Sequence, residues 1–158
     1  MQISKNFHLS ELTHSRKAVA YGINNTPNQS IKNHLIEATK QLWQPTRELL
    51  GVPMIVSSGY RSESLNLVIG GSSSSAHCHG YAIDFTAPSF GNTRTIAKFL
   101  VEELRKKGIK FDQLILEFPD AAGSWIHLGY KSPSGSQRGQ VLTAKKVNGK
   151  TKYLAGLH

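Results

Sequence analysis

The segment Ser75-Ala76-His77-Cys78-His79-Gly80-Tyr81-Ala82-Ile83-Asp84-Phe85-Thr86-Ala87 changes character at Gly80, from a polar loop bearing two histidines to an alternating run. Tyr81 to Ala87 reads as a strand, and side chains alternate between the two faces of a strand. Ile83 and Phe85 take one face, so Ala82, Asp84 and Thr86 take the other. Asp84 therefore leaves the core. His77 lies seven residues before Asp84, and Gly80 relieves crowding where the chain enters the strand, so loop and strand converge.

The same parity applied to Trp125 to Tyr130 turns Ile126, Leu128 and Tyr130 inward and places Trp125, His127 and Gly129 on the opposite face. In Phe111 to Phe118, Leu114, Leu116 and Phe118 suit the core, while Gln113 and Glu117 fall on the other face together with Ile115. The intervening Pro119-Asp120-Ala121-Ala122-Gly123-Ser124 makes these two runs a hairpin. Three strands thus each aim a polar residue away from the core. His77, Asp84 and His127 supply two imidazoles and a carboxylate, the ligand set of an open catalytic zinc site that keeps a fourth position for water. His79 is the alternative ligand, because His-x-His on a strand places both rings on one face.

Working outward, Ser10 ahead of Glu11-Leu12 caps a short first helix, and Thr26-Pro27 offers a cap with proline at the first helical position. Ile31, Leu35, Ala38 and Leu42 recur at helical spacing, with Pro45 interrupting the segment before Leu49-Leu50-Gly51 ends it. Met54-Ile55-Val56 is a short buried strand leading into Ser57-Ser58-Gly59-Tyr60-Arg61. Residues 63 to 69 form one or two helical turns stopped by Gly70-Gly71, and Ser72 to Ser75 make a loop. Thr93 to Lys107 is an amphipathic helix with Ile96, Phe99, Leu100 and Leu104 on one side and Gly108 as its stop. The layout expected is α+β, with helices packed on a small, mostly antiparallel sheet.

Composition bounds the partners. At 158 residues, 39% of them hydrophobic, the chain is expected to be one domain, and the start MQISKNFHLS lacks the apolar run of a secretory signal. No stretch approaches the roughly 20 apolar residues of a membrane helix. Cys78 is the only cysteine, so any metal is held mainly through nitrogen and oxygen. Nineteen Lys and Arg against ten Asp and Glu give a charge of +9, which draws the chain toward polyanions. Lys131, Arg138, Lys145, Lys146, Lys150 and Lys152 make residues 131–158 a basic C-terminal segment. Nothing interleaves aromatics with these charges, so a specific nucleic-acid partner is not expected.

Ser75 to Asp84 resembles the SxHxxGxAxD signature of the zinc D-alanyl-D-alanine peptidases, with all five signature residues present. Ser58-Gly59-Tyr60-Arg61-Ser62, Leu65-Asn66, Gly70-Gly71-Ser72 and Trp125-Ile126-His127 are similar to that family too, including its phage-borne members. The resemblance implies a hedgehog/D-Ala-D-Ala peptidase-like fold and one zinc ion per chain on His77, Asp84 and His127. It implies Arg61 as the residue that steers the substrate carboxylate or polarises the scissile carbonyl. Tyr60, Ser75 and Trp125 are the further candidates for substrate contact.

The family commonly places its general base three residues before the last ligand, where this chain has Ser124. Glu117, on the ligand-bearing face of the neighbouring strand, is the expected replacement, with Asp120 in the turn as the alternative. The substrate implied is a peptidoglycan stem peptide, cut at D-Ala-containing or L-Ala-D-Glu-type linkages. The expected setting is a monomeric phage lysis enzyme, released onto an anionic cell wall. The rival reading, favoured by Ser124, is a zinc-containing module that binds the wall without cutting it.

Overall fold

The computed structural model describes residues 1–158. Two short helices, α1 (Leu9–Thr13) and α2 (Arg16–Ala20), precede α3 (Gln29–Ala38), which runs through a π-turn (Thr39–Trp43) into α4 (Gln44–Leu50). Then follow β1 (Ile55–Ser58), α5 (Glu63–Val68), a 3-10 turn (Ala76–His79) and β2 (Ala82–Thr86). The chain closes with α6 (Thr93–Lys106), β3 (Gln113–Glu117), β4 (Trp125–Gly129), β5 (Gln140–Val147) and β6 (Lys150–Ala155). The strands form one sheet in the order β1-β2-β4-β3-β5-β6, antiparallel everywhere except between β3 and β5. This is the expected α+β architecture.

Alternation decides which face of the sheet is covered. Ile83, Phe85, Leu114, Leu116, Ile126 and Leu128 all turn to one face and are fully buried against Leu35, Leu42 and Trp43 and against Ile96, Leu100 and Leu104 of α6. Burial of each such side chain contributes about 1.5–3 kcal/mol, and truncating Leu100 to Ala is expected to cost about 2–5 kcal/mol. The Trp43 indole N–H donates to the Leu128 carbonyl at 3.2 Å, which pins the helical layer over β4. The opposite face, bearing Asp84, His127 and Glu117, is left without a helical layer.

Several local features differ from the sequence reading, each for a physical reason. α1 is capped by His8, not Ser10, through a reciprocal box in which His8 accepts from the Ser10 and Glu11 accepts from the His8 backbone N–H. Asn28 rather than Thr26 caps α3, its side chain accepting from the Ile31 N–H. Pro45 does not interrupt the helix. The π-turn shifts the ladder so that the Gln44 N–H reaches Thr39, and the N–H that proline lacks falls in the first turn of α4. β1 is an edge strand with Ile55 55% exposed, not a buried one. Phe118 does not enter the core, because its positive φ of 50° ends the alternation and turns its ring against Trp125. Residues 140–155 of the basic segment are two strands of the sheet itself.

Candidate metal centre

Register brings the polar residues of three segments together. Asp84 on β2 is the cross-strand partner of His127 on β4, and the 3-10 turn just before β2 delivers His77 to the same place. Asp84 Oδ1 lies 3.1 Å from His127 Nδ1 and 3.3 Å from His77 Nε2. The three donor atoms all lie within 4.8 Å of one another, with side chains only 3%, 13% and 14% exposed for His77, Asp84 and His127. His79 is outside this group, since the turn is helical rather than extended and its carbonyl instead accepts from the His34 ring.

The turn is built to present His77. Ser75 caps it by accepting from the His77 backbone N–H at 3.2 Å, and Gly80 closes it with a positive φ of 73°. The His77 Nδ1–H donates to the Gly59 carbonyl at 2.8 Å, and the Arg61 N–H donates back to the His77 carbonyl at 3.1 Å. Gly59 tolerates no side chain here, because a Cβ would collide with the Leu12 backbone carbonyl. Cys78, between the two histidines, is partly buried, and burial pushes its thiol above the ordinary value.

The donor set fits a zinc ion on a structural ground. His77 Nε2 is buried and makes no well-aligned hydrogen bond, so a polar atom aimed into the group is left without a partner. A tetrahedral metal with bonds of about 2.0–2.1 Å has donor-to-donor edges of about 3.3–3.4 Å, close to the spacings around Asp84. The protonation states agree. Burial lowers the His77 imidazole pKa, favouring the neutral ligand form. Burial pushes Asp84 upward, but His77 and His127 outweigh it and hold the carboxyl well below the usual carboxylate range.

Glu117 on β3 shares this face, since its strand partner is Trp125 and Ile115 is the partner of His127. It is buried, and burial pushes its carboxyl up to about 7, against the pull of His127 and with the Asp84 charge adding. Asp120 is elsewhere: 70% exposed, it bonds Arg94 at 2.8 Å and lies 3.6 Å from Lys145. The Ser124 hydroxyl is committed to the hairpin, donating to the Glu117 carbonyl at 2.8 Å and pairing with Thr93 at 2.6 Å.

Arg61 lies on the other side of the group, where burial lowers its pKa while the charge of Asp84 opposes that shift. Its Nε is buried without a partner, and one terminal nitrogen donates to Asn66 at 3.1 Å. Asn66 is itself fixed, donating to the Ser72 carbonyl at 2.8 Å. The role of Asn66 was not read from the sequence, although its place five residues after an arginine at a helix start is a usable signal. Tyr60 and Arg61 also line a groove of about 760 Å³ along the free edge of β1, floored by Val56, Leu65 and Ile69. Trp125 stands at the opposite end of the face, 5.6 Å from the Phe118 ring.

Two histidines and an aspartate on one open face of a mixed sheet are the donor set of a zinc hydrolase. Residues 5–120 match the family model described as Peptidase M15, so the chain belongs to the zinc D-Ala-D-Ala peptidase family. Members of that family are zinc-dependent, and the match includes His77, Asp84, Arg61 and Glu117 while His127 lies beyond it. No curated protein matches the chain. No helix is long and apolar enough to cross a membrane.

Proposed function

We propose that the chain is a zinc peptidase that hydrolyses peptide bonds in peptidoglycan stem peptides, with His77, Asp84 and His127 as the metal ligands. The observation that carries this is the partnerless His77 Nε2, aimed at Asp84 and His127 in a chain of the M15 family. A zinc ion there supplies Lewis acidity toward a carbonyl oxygen and makes water a stronger acid at neutral pH.

The chain's own residues do the rest. Glu117, with a pKa near neutrality, takes the proton of the attacking water and returns it to the departing amine. Arg61, with its buried Nε free, donates to the oxygen that gains charge or to a substrate carboxylate. Ser75 acts by holding the His77 backbone, while Tyr60 and Trp125 bound the face at its two ends. D-Ala-containing and L-Ala-D-Glu-type linkages are the bonds proposed. A basic chain acting on an anionic wall fits a phage lysis enzyme.

A wall-binding module without activity is the second reading, and the serine at position 124 is what favours it. Incubating the zinc-loaded protein with peptidoglycan and searching by mass spectrometry for new amines and carboxylates separates the two. New termini are expected, and defined muropeptides then locate the bond. Intact peptidoglycan in the presence of zinc-loaded protein leaves the binding module.

A further inference from the structure

The last two strands carry the site's face beyond Glu117. Glu117 on β3 is the partner of Ala144 on β5, and Ala144 is the partner of Tyr153 on β6. Cross-strand partners point to the same side of a sheet, so Tyr153 shares the face of Asp84, His127 and Glu117. Strands are spaced about 4.8 Å apart, which places Tyr153 two strands, or about 10 Å, from Glu117 at the backbone. Between them stands only the methyl group of Ala144, fully buried and too short to block a tyrosine ring leaning across it.

Tyr153 is 56% exposed, and no side-chain hydrogen bond ties it down. Burial, then the charges of Glu117 and of Asp84, push its phenol above the ordinary value, so the hydroxyl stays protonated and both carboxylates are within electrostatic reach. Apart from Arg61 at the far side and Lys146 near Phe118, this face is rich in acceptors. A peptide lying across it brings carbonyl and carboxylate oxygens to the Glu117 side of the face, where the Glu117 carboxylate can only accept, and a neutral O–H donor supplies the hydrogen bond that Glu117 cannot. Lys146 adds to the same end, two residues along β5 from Ala144 and 5.7 Å from the centre of the Phe118 ring.

We propose that Tyr153 is a substrate-binding residue, its phenol donating a hydrogen bond to a carbonyl or carboxylate oxygen of the peptide on the Glu117 side of the metal group. The inference rests on the peptidase reading, and it gives the β5–β6 hairpin a function as the second half of the substrate platform. Residues 140–155 lie beyond the part of the chain that the family model matches.

The test is the steady-state kinetics of zinc-loaded wild type, Tyr153→Phe and Tyr153→Ala on a soluble stem peptide, with metal content and thermal midpoint measured alongside. Tyr153→Phe removes one neutral hydrogen bond and is expected to lower kcat/KM about 3- to 10-fold, chiefly through KM. Tyr153→Ala should lose about 10-fold or more, with zinc content and thermal midpoint unchanged because the side chain is exposed. Wild-type kinetics in both variants overturn the inference while leaving the peptidase reading intact. A wild type that turns over no stem peptide overturns the reading and this inference with it.

Discussion

His77 donates through Nδ1 to the carbonyl oxygen of Gly59 at 2.8 Å, and this single contact fixes which of its nitrogens is free to bind a metal. A carbonyl can only accept, so Nδ1 carries the proton and Nε2 presents its lone pair toward Asp84 and His127. A side chain on Gly59 collides with the Leu12 carbonyl, so Gly59→Ala must move either α1 or the carbonyl that orients His77. Loss of such an orienting partner is expected to weaken zinc binding about 10- to 100-fold. Competition against a chromophoric chelator measures it, and an unchanged zinc affinity would show that the contact is incidental.

Asn66 holds Arg61, and its side chain is hydrogen-bonded to none of the three converging donors. Asn66→Ala is expected to leave zinc content at the wild-type level and to lower kcat/KM on a stem peptide by about 10-fold, because Arg61 loses the acceptor that fixes its fork. Asn66→Asp, which keeps an acceptor for Arg61, should recover part of that loss. Equal activity in all three proteins would show that turnover does not depend on how Asn66 orients Arg61.

Glu117→Gln should keep the metal, since Glu117 is not among the three converging donors. Activity is expected to fall by about 10²-fold or more with the loss of a general base. Asp120→Asn, at an exposed residue paired with Arg94, should change little. The reverse pattern would make Asp120 the base.

The same carboxyl makes a prediction for the metal-free protein. Its pKa rises from 4.5 in the unfolded chain to about 7 in the folded one, so the folded state holds the proton more tightly. Stability contributed by this residue is therefore lost as pH rises from about 4.5 to 7, and the penalty is complete above that window. Glu117→Gln removes the titration. Its thermal midpoint should exceed that of metal-free wild type at pH 8 by more than it does at pH 5, and an equal difference at the two pH values would mean that Glu117 titrates normally.

Much of the site was legible because β2 and β4 alternate without a break. Ile83, Phe85, Ile126 and Leu128 are all fully buried, so parity alone put Asp84 and His127 on the opposite face. The same rule failed at Phe118, where a left-handed backbone ends the strand, a conformation that an aromatic residue does not announce. The hairpin of β5 and β6 was missed for another reason. Lys145 opposite Lys152 and Lys146 opposite Thr151 give it a charged, exposed edge with little apolar alternation. As a result the basic segment passed for a charged strip, and no strand parity was there to single out Tyr153. α2 spans only five residues, too few for a helical period to register. The hydrogen bonds from His77 to Gly59 and from Arg61 to Asn66 depend on loop geometry that no local pattern encodes.

In the proposed peptidase His77, Asp84 and His127 together hold one zinc ion, and His127 is the most informative of the three because it lies outside the matched family segment. Elemental analysis of wild type and His127→Ala, purified side by side and dialysed against the same zinc-containing buffer, is the direct measurement. One zinc per chain in wild type and loss of most of it in His127→Ala is the predicted result. Stoichiometric zinc retained in folded His127→Ala would contradict the ligand set.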